Sequence, residues 1–398
     1  MPWKQTDTMT ERVKLMTEYL KGESSVSELS RRYGVSRPIV YKWVERYEQE
    51  SWAGLEERSR APHRQARALS AELEEQILEF KRRWPDWGAP KLRQKLLEQV
   101  GAERCPAEST VSVVLQRHGL VKARRRRRAA VPGGGGPLAE TTEANRVWCV
   151  DFKGWWRTRN GERCEPLTVS DAWSRYLLRC VAVRGGTGTE LVQPHFERLF
   201  REYGLPEALR SDNGAPFAST GLGGLTKLSV WWLRLGIRLE RIRPGCPQEN
   251  GRHERMHLSL EQSGARRARA NLREQQAALE KFRREYNEER PHEALGQRVP
   301  ASVYTPSARV YPGRLPPGRE YPHGWQTRQV KRWGQMKWGG REITVSQALA
   351  GERIGLEPRE DGIWAVWFEQ LQVGRFDERT GGIQRISKLA NPRAEEGA

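Results

Sequence analysis

The chain has 398 residues, 37% of them hydrophobic, which is enough for real cores and, at ordinary domain sizes, for two to three domains. Lysine and arginine number 69 against 50 acidic residues, and the resulting charge of +19 points to a polyanionic partner, nucleic acid first, with a merely solvated basic surface as the alternative. No apolar run approaches membrane-spanning length and Met1-Pro2-Trp3-Lys4-Gln5 lacks a signal peptide's apolar segment, so no membrane association and a cytoplasmic location are expected, with the five cysteines, an odd set without a C-x-x-C pair, reduced.

In chain order, Thr10 to Leu20 reads as a first helix. Ser25-Val26-Ser27-Glu28 is a capping box that opens a second, which ends near Tyr33-Gly34. A third starts at Ser36 and carries Val40, Trp43, Val44 and Tyr47 at helical spacing. This is a helix-turn-helix over 1–50, in which Arg37, Tyr41 and Lys42 are left free to meet a DNA groove. A plain three-helix bundle with a solvated basic face is the alternative.

Residues 51–69, Arg-rich and broken by Gly54 and Pro62, read as a linker. Over 70–122 three more helices, from Ser70 to Trp84, Ala89 to Gln99 and Ala107 to His118, resemble a second helix-turn-helix. A linker over 123–140 follows. Its arginines Arg124, Arg125, Arg126, Arg127 and Arg128 are placed to neutralise phosphates, unless they form only a solvated tether, and a glycine run makes a joint.

From Arg146 the pattern turns to strands: Val147 to Phe152, Leu167 to Ser170, Tyr176 to Val183, Ala208 to Ser211 and Arg238 to Ile242. Thr189 to Tyr203 and Leu225 to Leu235 look helical between them. Such an order describes an α/β layer with an antiparallel edge. Three acids stand out in it. Asp151 ends a strand apolar on both faces, where an ionised carboxylate is costly without a counter-charge. Asp212 sits where a strand stops before Asn213-Gly214, and Glu254 near the start of a helix. Two short acids on strands and one longer acid on a helix can converge, and hard divalent cations prefer such oxygen ligands.

The fragments Trp148-x-x-Asp151-Phe152-x-Gly154, Asp171-x-x-Ser174-Arg175, Ser211-Asp212-Asn213-Gly214-x-x-Phe217, Pro247-Gln248-x-Asn250-Gly251-x-x-Glu254-Arg255 and Tyr286-Asn287-x-x-Arg290-Pro291-His292-x-Ala294-Leu295 occur in this order. Together they resemble the core of bacterial insertion-sequence transposases related to retroviral integrases. The resemblance implies a multidomain chain: N-terminal all-α helix-turn-helix units, a central α/β ribonuclease-H-like catalytic core with a mixed sheet over 141–305, and a DDE triad at Asp151, Asp212 and Glu254. It further implies DNA 3′-end cleavage and strand transfer without a covalent protein intermediate. Two Mg²⁺ ions, or Mn²⁺, about 4 Å apart would flank the scissile phosphate, with Asp151 the best candidate to bridge them. Partners would be the element's terminal inverted repeats and target DNA, and handling two ends implies a homo-oligomer. Asn250 and Arg252, beside the third acid, are DNA-contact candidates.

One departure matters. Asp212 and Glu254 are 42 positions apart, several more than integrase-like cores usually show, and Gly221-Leu222-Gly223-Gly224 reads as the insert. Glu249 therefore rivals Glu254, but five residues along a helix turn through about 500°, so both cannot face the aspartates. Glu254 is preferred because Asn250 lies one turn before it. Asp171 is left out as hairpin-turn chemistry. A different class is raised by His253-Glu254-Arg255-Met256-His257, a formal H-E-x-x-H of zinc proteases that lacks a third ligand motif. A DNA-binding regulator that does not cut is the third reading, and its mark would be a broken triad.

Leu272, Leu279, Phe282 and Tyr286 describe a helix packed on the core, ended by Arg290-Pro291-His292. A Pro/Gly linker spans 306–324. Alternation over 325–390, as in Gln329 to Trp333, Glu342 to Val345, Arg353 to Glu357, Ile363 to Phe368 and Gln372 to Phe376, predicts a small β-barrel. Its Trp333, Trp338, Trp364 and Trp367, beside Lys331, Arg332, Lys337 and Arg341, either grip DNA backbone or form the barrel's core.

Overall fold

A computed structural model describes residues 7–57, 69–121, 138–243 and 246–386. The chain divides into two compact units, Met1–Leu69 and Ser70–Ala398. Within the described residues no helix is long and apolar enough to cross a membrane.

The first unit holds α1 (Thr8–Leu20), α2 (Val26–Tyr33) and α3 (Arg37–Glu50). Ser25 caps α2 through the expected reciprocal box with Glu28, and Gly34 leaves it in the left-handed conformation that a glycine adopts without strain. Ser36 sits at the N-cap of α3 but makes no side-chain cap bond; Pro38 starts that helix instead. Leu15, Met16, Val40, Trp43 and Val44 form the core. The chain past α3 folds back as a 3-10 turn over Ser51–Leu55 and adds Leu55 to this core. Gly54 is required there, because a Cβ would lie 2.2 Å from the carbonyl oxygen of Arg46.

The second unit opens with α4 (Ala71–Arg83), α5 (Ala89–Arg104) and α6 (Glu108–Arg117). Their apolar stripes, Leu73, Ile77 and Phe80 with Leu92, Leu96, Val111 and Val114, are buried. Arg290 anchors this helical piece by an ion pair to Asp86 at 2.6 Å, and Glu289 by one to Arg83 at 2.9 Å.

Strands β1 (Val147–Phe152), β2 (Trp156–Arg157), β3 (Arg163–Asp171) and β4 (Leu177–Val183) precede α7 (Thr189–Tyr203). After it come β5 (Ala208–Ser211), α8 (Lys227–Arg234), β6 (Arg238–Arg241), α9 (Gly251–Gln262) and α10 (Leu272–Arg284). Across the sheet the order is β4-β3-β1-β5-β6, with β2 extending β3. The first three pair antiparallel, while β1 with β5 and β5 with β6 pair parallel. This is the ribonuclease-H-like mixed sheet that the resemblance implies.

Alternation along β1 and β3 gives the sheet two unlike faces. Trp148, Val150, Leu167 and Val169 pack with Phe196, Phe200 and Trp232 of α7 and α8 in the main core. On the opposite face α10 covers β4 and α9 lies over β1 and β3, with Leu177, Cys180, Met256, Leu260, Leu279 and Phe282 in one apolar cluster. Each of these helices thus buries an apolar stripe against the sheet.

The C-terminal part contains β7 (Gln326–Gln329), β8 (Gln335–Trp338), β9 (Arg341–Thr344), β10 (Arg353–Glu360), β11 (Ile363–Phe368), β12 (Leu371–Asp377) and β13 (Gly382–Arg385). Five of them form one antiparallel sheet, β13-β12-β11-β10-β7, and β8 with β9 form a separate hairpin. The hairpin contributes Met336 and Ile343 to the same apolar cluster as Ile354, Val366 and Phe376. In place of the closed barrel expected from the alternation, the structure has an antiparallel sheet with a hairpin packed on its apolar face. Leu222 and Leu225, from the stretch that reads as an insert, join this cluster too and tie the C-terminal sheet to the core.

Candidate functional site

The register of β1 on β5 brings the first two acids level. Val147, Trp148 and Cys149 face Ala208, Leu209 and Arg210; carried forward, the same offset sets Asp151 beside Asp212, the residue just past the end of β5. Neighbouring strands lie about 4.8 Å apart, and level residues on parallel strands point to one face. Asp151 is half-buried, its side chain 29% exposed, and its Oδ1 accepts a 2.7 Å hydrogen bond from the N–H of Phe152. Asp212 Oδ1 accepts from the N–H of Gly214 at 3.1 Å in the turn that ends the strand.

Burial, and after it the like charge of Asp212, push the Asp151 carboxyl up to about 7; Glu254 adds to this, while the Phe152 N–H and Lys153 oppose it. Glu254 stands in the first turn of α9, where the helix dipole favours an anion, and is exposed. Among the described residues it has no hydrogen-bond or ion-pair partner. Lys153, the nearby cation, is taken by Glu261 at 2.9 Å.

Glu249 has a different environment. Burial raises its carboxyl, but the Arg243 N–H at 2.8 Å and guanidinium at 2.6 Å outweigh burial and hold it below the ordinary range. It is engaged by an arginine, whereas Glu254 is open.

The H-E-x-x-H histidines face inward, onto β3. His253 Nε2 and His257 Nε2 each lie 2.8 Å from Thr168 Oγ1, and His253 Nδ1 lies 2.7 Å from Ser170 Oγ. Thr168 also donates to the Asp151 carbonyl at 2.9 Å, and His257 Nδ1 faces Asp151 Oδ2 at 3.8 Å. Burial keeps both imidazoles neutral; each also feels a neighbour, His257 beside His253 and Lys153 beside His257, whose own value falls to about 3. Both Nε2 atoms are thus engaged by one hydroxyl while Glu254 points outward, an arrangement unlike a zinc protease's, where both histidines hold the ion. Sequence reasoning missed Thr168 and Ser170. Their signal was present: hydroxyls two apart on a strand, matched to histidines four apart on a helix.

Among the described residues no three His, Cys, Asp or Glu side chains come together closely enough to hold a metal by themselves. The acids nevertheless fit a divalent cation of the Mg²⁺ type. Such an ion takes one or two carboxylates and keeps positions for water and phosphate oxygens, and here like charges crowd Asp151 with Lys153 already paired.

Of the DNA-contact candidates, Arg37, Tyr41 and Lys42 are exposed on the N-terminal half of α3. Arg124, Arg125, Arg126, Arg127 and Arg128 lie outside the described residues. Asn250 is buried and its Oδ1 has no partner among the described residues; Arg252 donates to the Ala172 carbonyl at 2.8 Å and to the Thr141 hydroxyl. Neither is a free surface donor. Both line an open hollow of about 400 Å³ next to α9, shared with Cys149 and Arg210. Asp171 accepts from the Ser174 N–H and hydroxyl and from the Asn145 N–H, so its carboxylate braces the β3–β4 turn.

Known families match the chain piecewise. A helix-turn-helix domain matches residues 11–63 and a homeodomain-like domain residues 39–115. Integrase core domain families match 141–247 and 235–300, and the C-terminal domain of the IS481 family of transposases matches 325–384. The 31.7 kDa protein of insertion element IS407 from Burkholderia multivorans is 28% identical over 184 residues, covering 46% of this chain and 64% of that protein. The 39.2 kDa protein of insertion element IS476 from Xanthomonas euvesicatoria is 29% identical over 175 residues, 44% of this chain and 48% of that one. The chain thus spans about half to two thirds of the length of these relatives. Among solved structures, the HTLV-2 integrase catalytic core domain in complex with magnesium aligns with 41% of this chain and 99% of its own, at 14% identity and a TM-score of 0.31.

Proposed function

We propose that the chain, which matches integrase core domains and the C-terminal domain of IS481-family transposases, is an insertion-element transposase that frees the 3′ ends of such an element and transfers them to target DNA. Asp151, Asp212 and Glu254 are the acidic triad of this reaction. The observation that carries the reading is the level placement of Asp151 and Asp212 at the ends of adjacent parallel strands, with Asp151 pushed up to about 7.

Divalent cations held by these three acids, Mg²⁺ or Mn²⁺, would supply Lewis-acid activation of a water or a 3′-hydroxyl and stabilise the leaving oxygen. The chain's own contribution is positional. Strands β1 and β5 fix two carboxylates, and α9 brings Glu254 from a second direction. The N–H groups of Phe152 and Gly214 hold one oxygen of each aspartate and leave the other open. Segments 1–50 and 70–122 bind DNA, 141–305 performs the chemistry, and the joining of two element ends calls for a homo-oligomer.

Strand transfer with candidate element ends and Mg²⁺ tests this against Asp212→Asn. Removing a metal ligand should cost more than the roughly 10–100-fold typical of an outer-shell partner. Full activity in the variant would mean the site is wrongly assigned. A DNA-binding regulator that never cuts would show end binding without transfer in the unmodified protein.

A further inference from the structure

The two histidines of α9 have no role in the reaction as drawn, yet hydrogen-bond geometry fixes where their protons are. Thr168 Oγ1 has a single proton and three polar neighbours: the Asp151 carbonyl at 2.9 Å and the Nε2 atoms of His253 and His257 at 2.8 Å. A carbonyl only accepts, so the Thr168 proton goes there. The two lone pairs of the hydroxyl then receive an N–H from each imidazole. Both rings are therefore Nε2–H tautomers, and each Nδ1 carries a lone pair.

The lone pair of His253 accepts the proton of Ser170 Oγ at 2.7 Å. That of His257 has no donor among the described residues. It faces Asp151 Oδ2 at 3.8 Å, acceptor against acceptor, on a side chain only 7% exposed. At 3.8 Å the pair is too far apart for an N–H···O bond. It is well placed for something else. Two donor atoms about 2.1 Å from one cation stand roughly 3.0 to 4.2 Å apart, from adjacent to opposite positions.

We propose that His257 Nδ1 is a nitrogen ligand to the divalent cation at Asp151, making the centre a mixed carboxylate–imidazole site. The inference rests on the assignment of Asp151 and Asp212 to a cation site. A ligating histidine nearly always donates its other ring N–H to a neighbouring acceptor, which orients the ring. His257 does so through Nε2 to Thr168, and Thr168 is itself tied to the backbone of Asp151. Ligand ring and ligand strand are thus held in one hydrogen-bonded frame, braced from behind by His253 and Ser170. An imidazole ligand shifts preference from Mg²⁺ towards transition metals.

The test is pulsed electron paramagnetic resonance on the full chain loaded with Mn²⁺ alone. Wild type should show ¹⁴N modulation from a directly bound nitrogen. His257→Gln keeps a donor near Nε2 for Thr168 but removes Nδ1, so the modulation should vanish. Its Mn²⁺ dissociation constant should rise about tenfold or more, with a smaller change for Mg²⁺. Asp151→Asn separates the layers of the argument. If that variant loses bound Mn²⁺ while wild type lacks nitrogen modulation, or if His257→Gln retains it, the histidine ligand is refuted and the acidic site stands. If Asp151→Asn binds Mn²⁺ as wild type does, the acidic site falls and the histidine ligand with it. The wild-type spectrum alone decides should His257→Gln fail to fold.

Discussion

The interval between Asp212 and Glu254 contains two regions built on opposite principles. At its ends, with Asp151 alongside, carboxylates of one sign gather with few partners, and one of them is pushed up to about 7. In its middle, Leu222 and Leu225 are buried against Val366, Val373 and Phe376 of the C-terminal sheet. The fit there is close on both sides: a Cβ at Gly374 would lie 2.8 Å from Leu222 Cδ1, and one at Gly223 3.0 Å from Val373. Arg234 at the end of α8 adds ion pairs to Glu352 and Glu369. Unsatisfied charge marks a place left open for a ligand, whereas saturated apolar packing marks a joint. The stretch that lengthens the spacing between the two acids is therefore a socket for the C-terminal sheet and takes no part in the acidic site.

Substitution should separate the two regions sharply. Leu222→Asp buries an unpaired carboxylate in the socket and should cost on the order of 5 kcal/mol. Calorimetry should then show the C-terminal sheet unfolding well below the rest of the second unit. A single transition at the wild-type temperature would mean that the socket does not hold the sheet.

At the acidic end the sign reverses, because removing charge should help the fold. The Asp151 carboxyl is raised from 3.8 to about 7, so between those values the folded chain binds a proton that the unfolded chain does not. Stability therefore falls as pH rises through that window and stays low above it. Asp151→Asn is neutral throughout. It should match wild type near pH 4 and exceed it at pH 8, by at most about 4 kcal/mol for a shift of this size. Added Mg²⁺ should recover the wild type at pH 8 through binding and leave the variant unmoved. Thermal midpoints at the two pH values, with and without Mg²⁺, read all of this. A variant no more stable than wild type at pH 8 would show that the like charges are not crowded.

The contrast also explains what the sequence reveals and what it hides. Val147–Phe152 and Thr189–Tyr203 are legible to the residue because each carries its own signal, apolar alternation in one and a helical stripe in the other. Strand β2 has only two residues, too few to carry a pattern, and the strand expected over Gln329 to Trp333 falls mostly on the turn between β7 and β8. Glu249 rivals Glu254 in the sequence, where the preference for Glu254 rests on register with Asn250, and only the fold gives Glu249 to Arg243. Leu222 looks like a loop residue because its partner Gly374 lies about 150 positions on. Thr168 and Ser170 read as ordinary strand hydroxyls until α9 sets two histidines against them. What stays hidden is in each case a pairing across the chain, since local pattern specifies the element and says little of its neighbour.

The tryptophans of the C-terminal sheet extend the same contrast on a smaller scale. Trp338 packs edge-on against Trp364 and Phe376, with ring centroids 5.0 and 5.3 Å away, and Trp367 lies against Trp325. These rings belong to the sheet's own packing. Trp333 does not: it is 71% exposed in the turn before β8, with the Arg332 guanidinium 5.4 Å from its centroid. Trp333→Ala should therefore move stability by less than about 0.5 kcal/mol, the usual range for a surface change, and Trp338→Ala by about 3 kcal/mol, as for a packed aromatic. Urea midpoints of the two variants make the comparison. A loss at Trp333 as large as that at Trp338 would place its ring in a packed environment and remove it from the solvent-facing surface of the sheet.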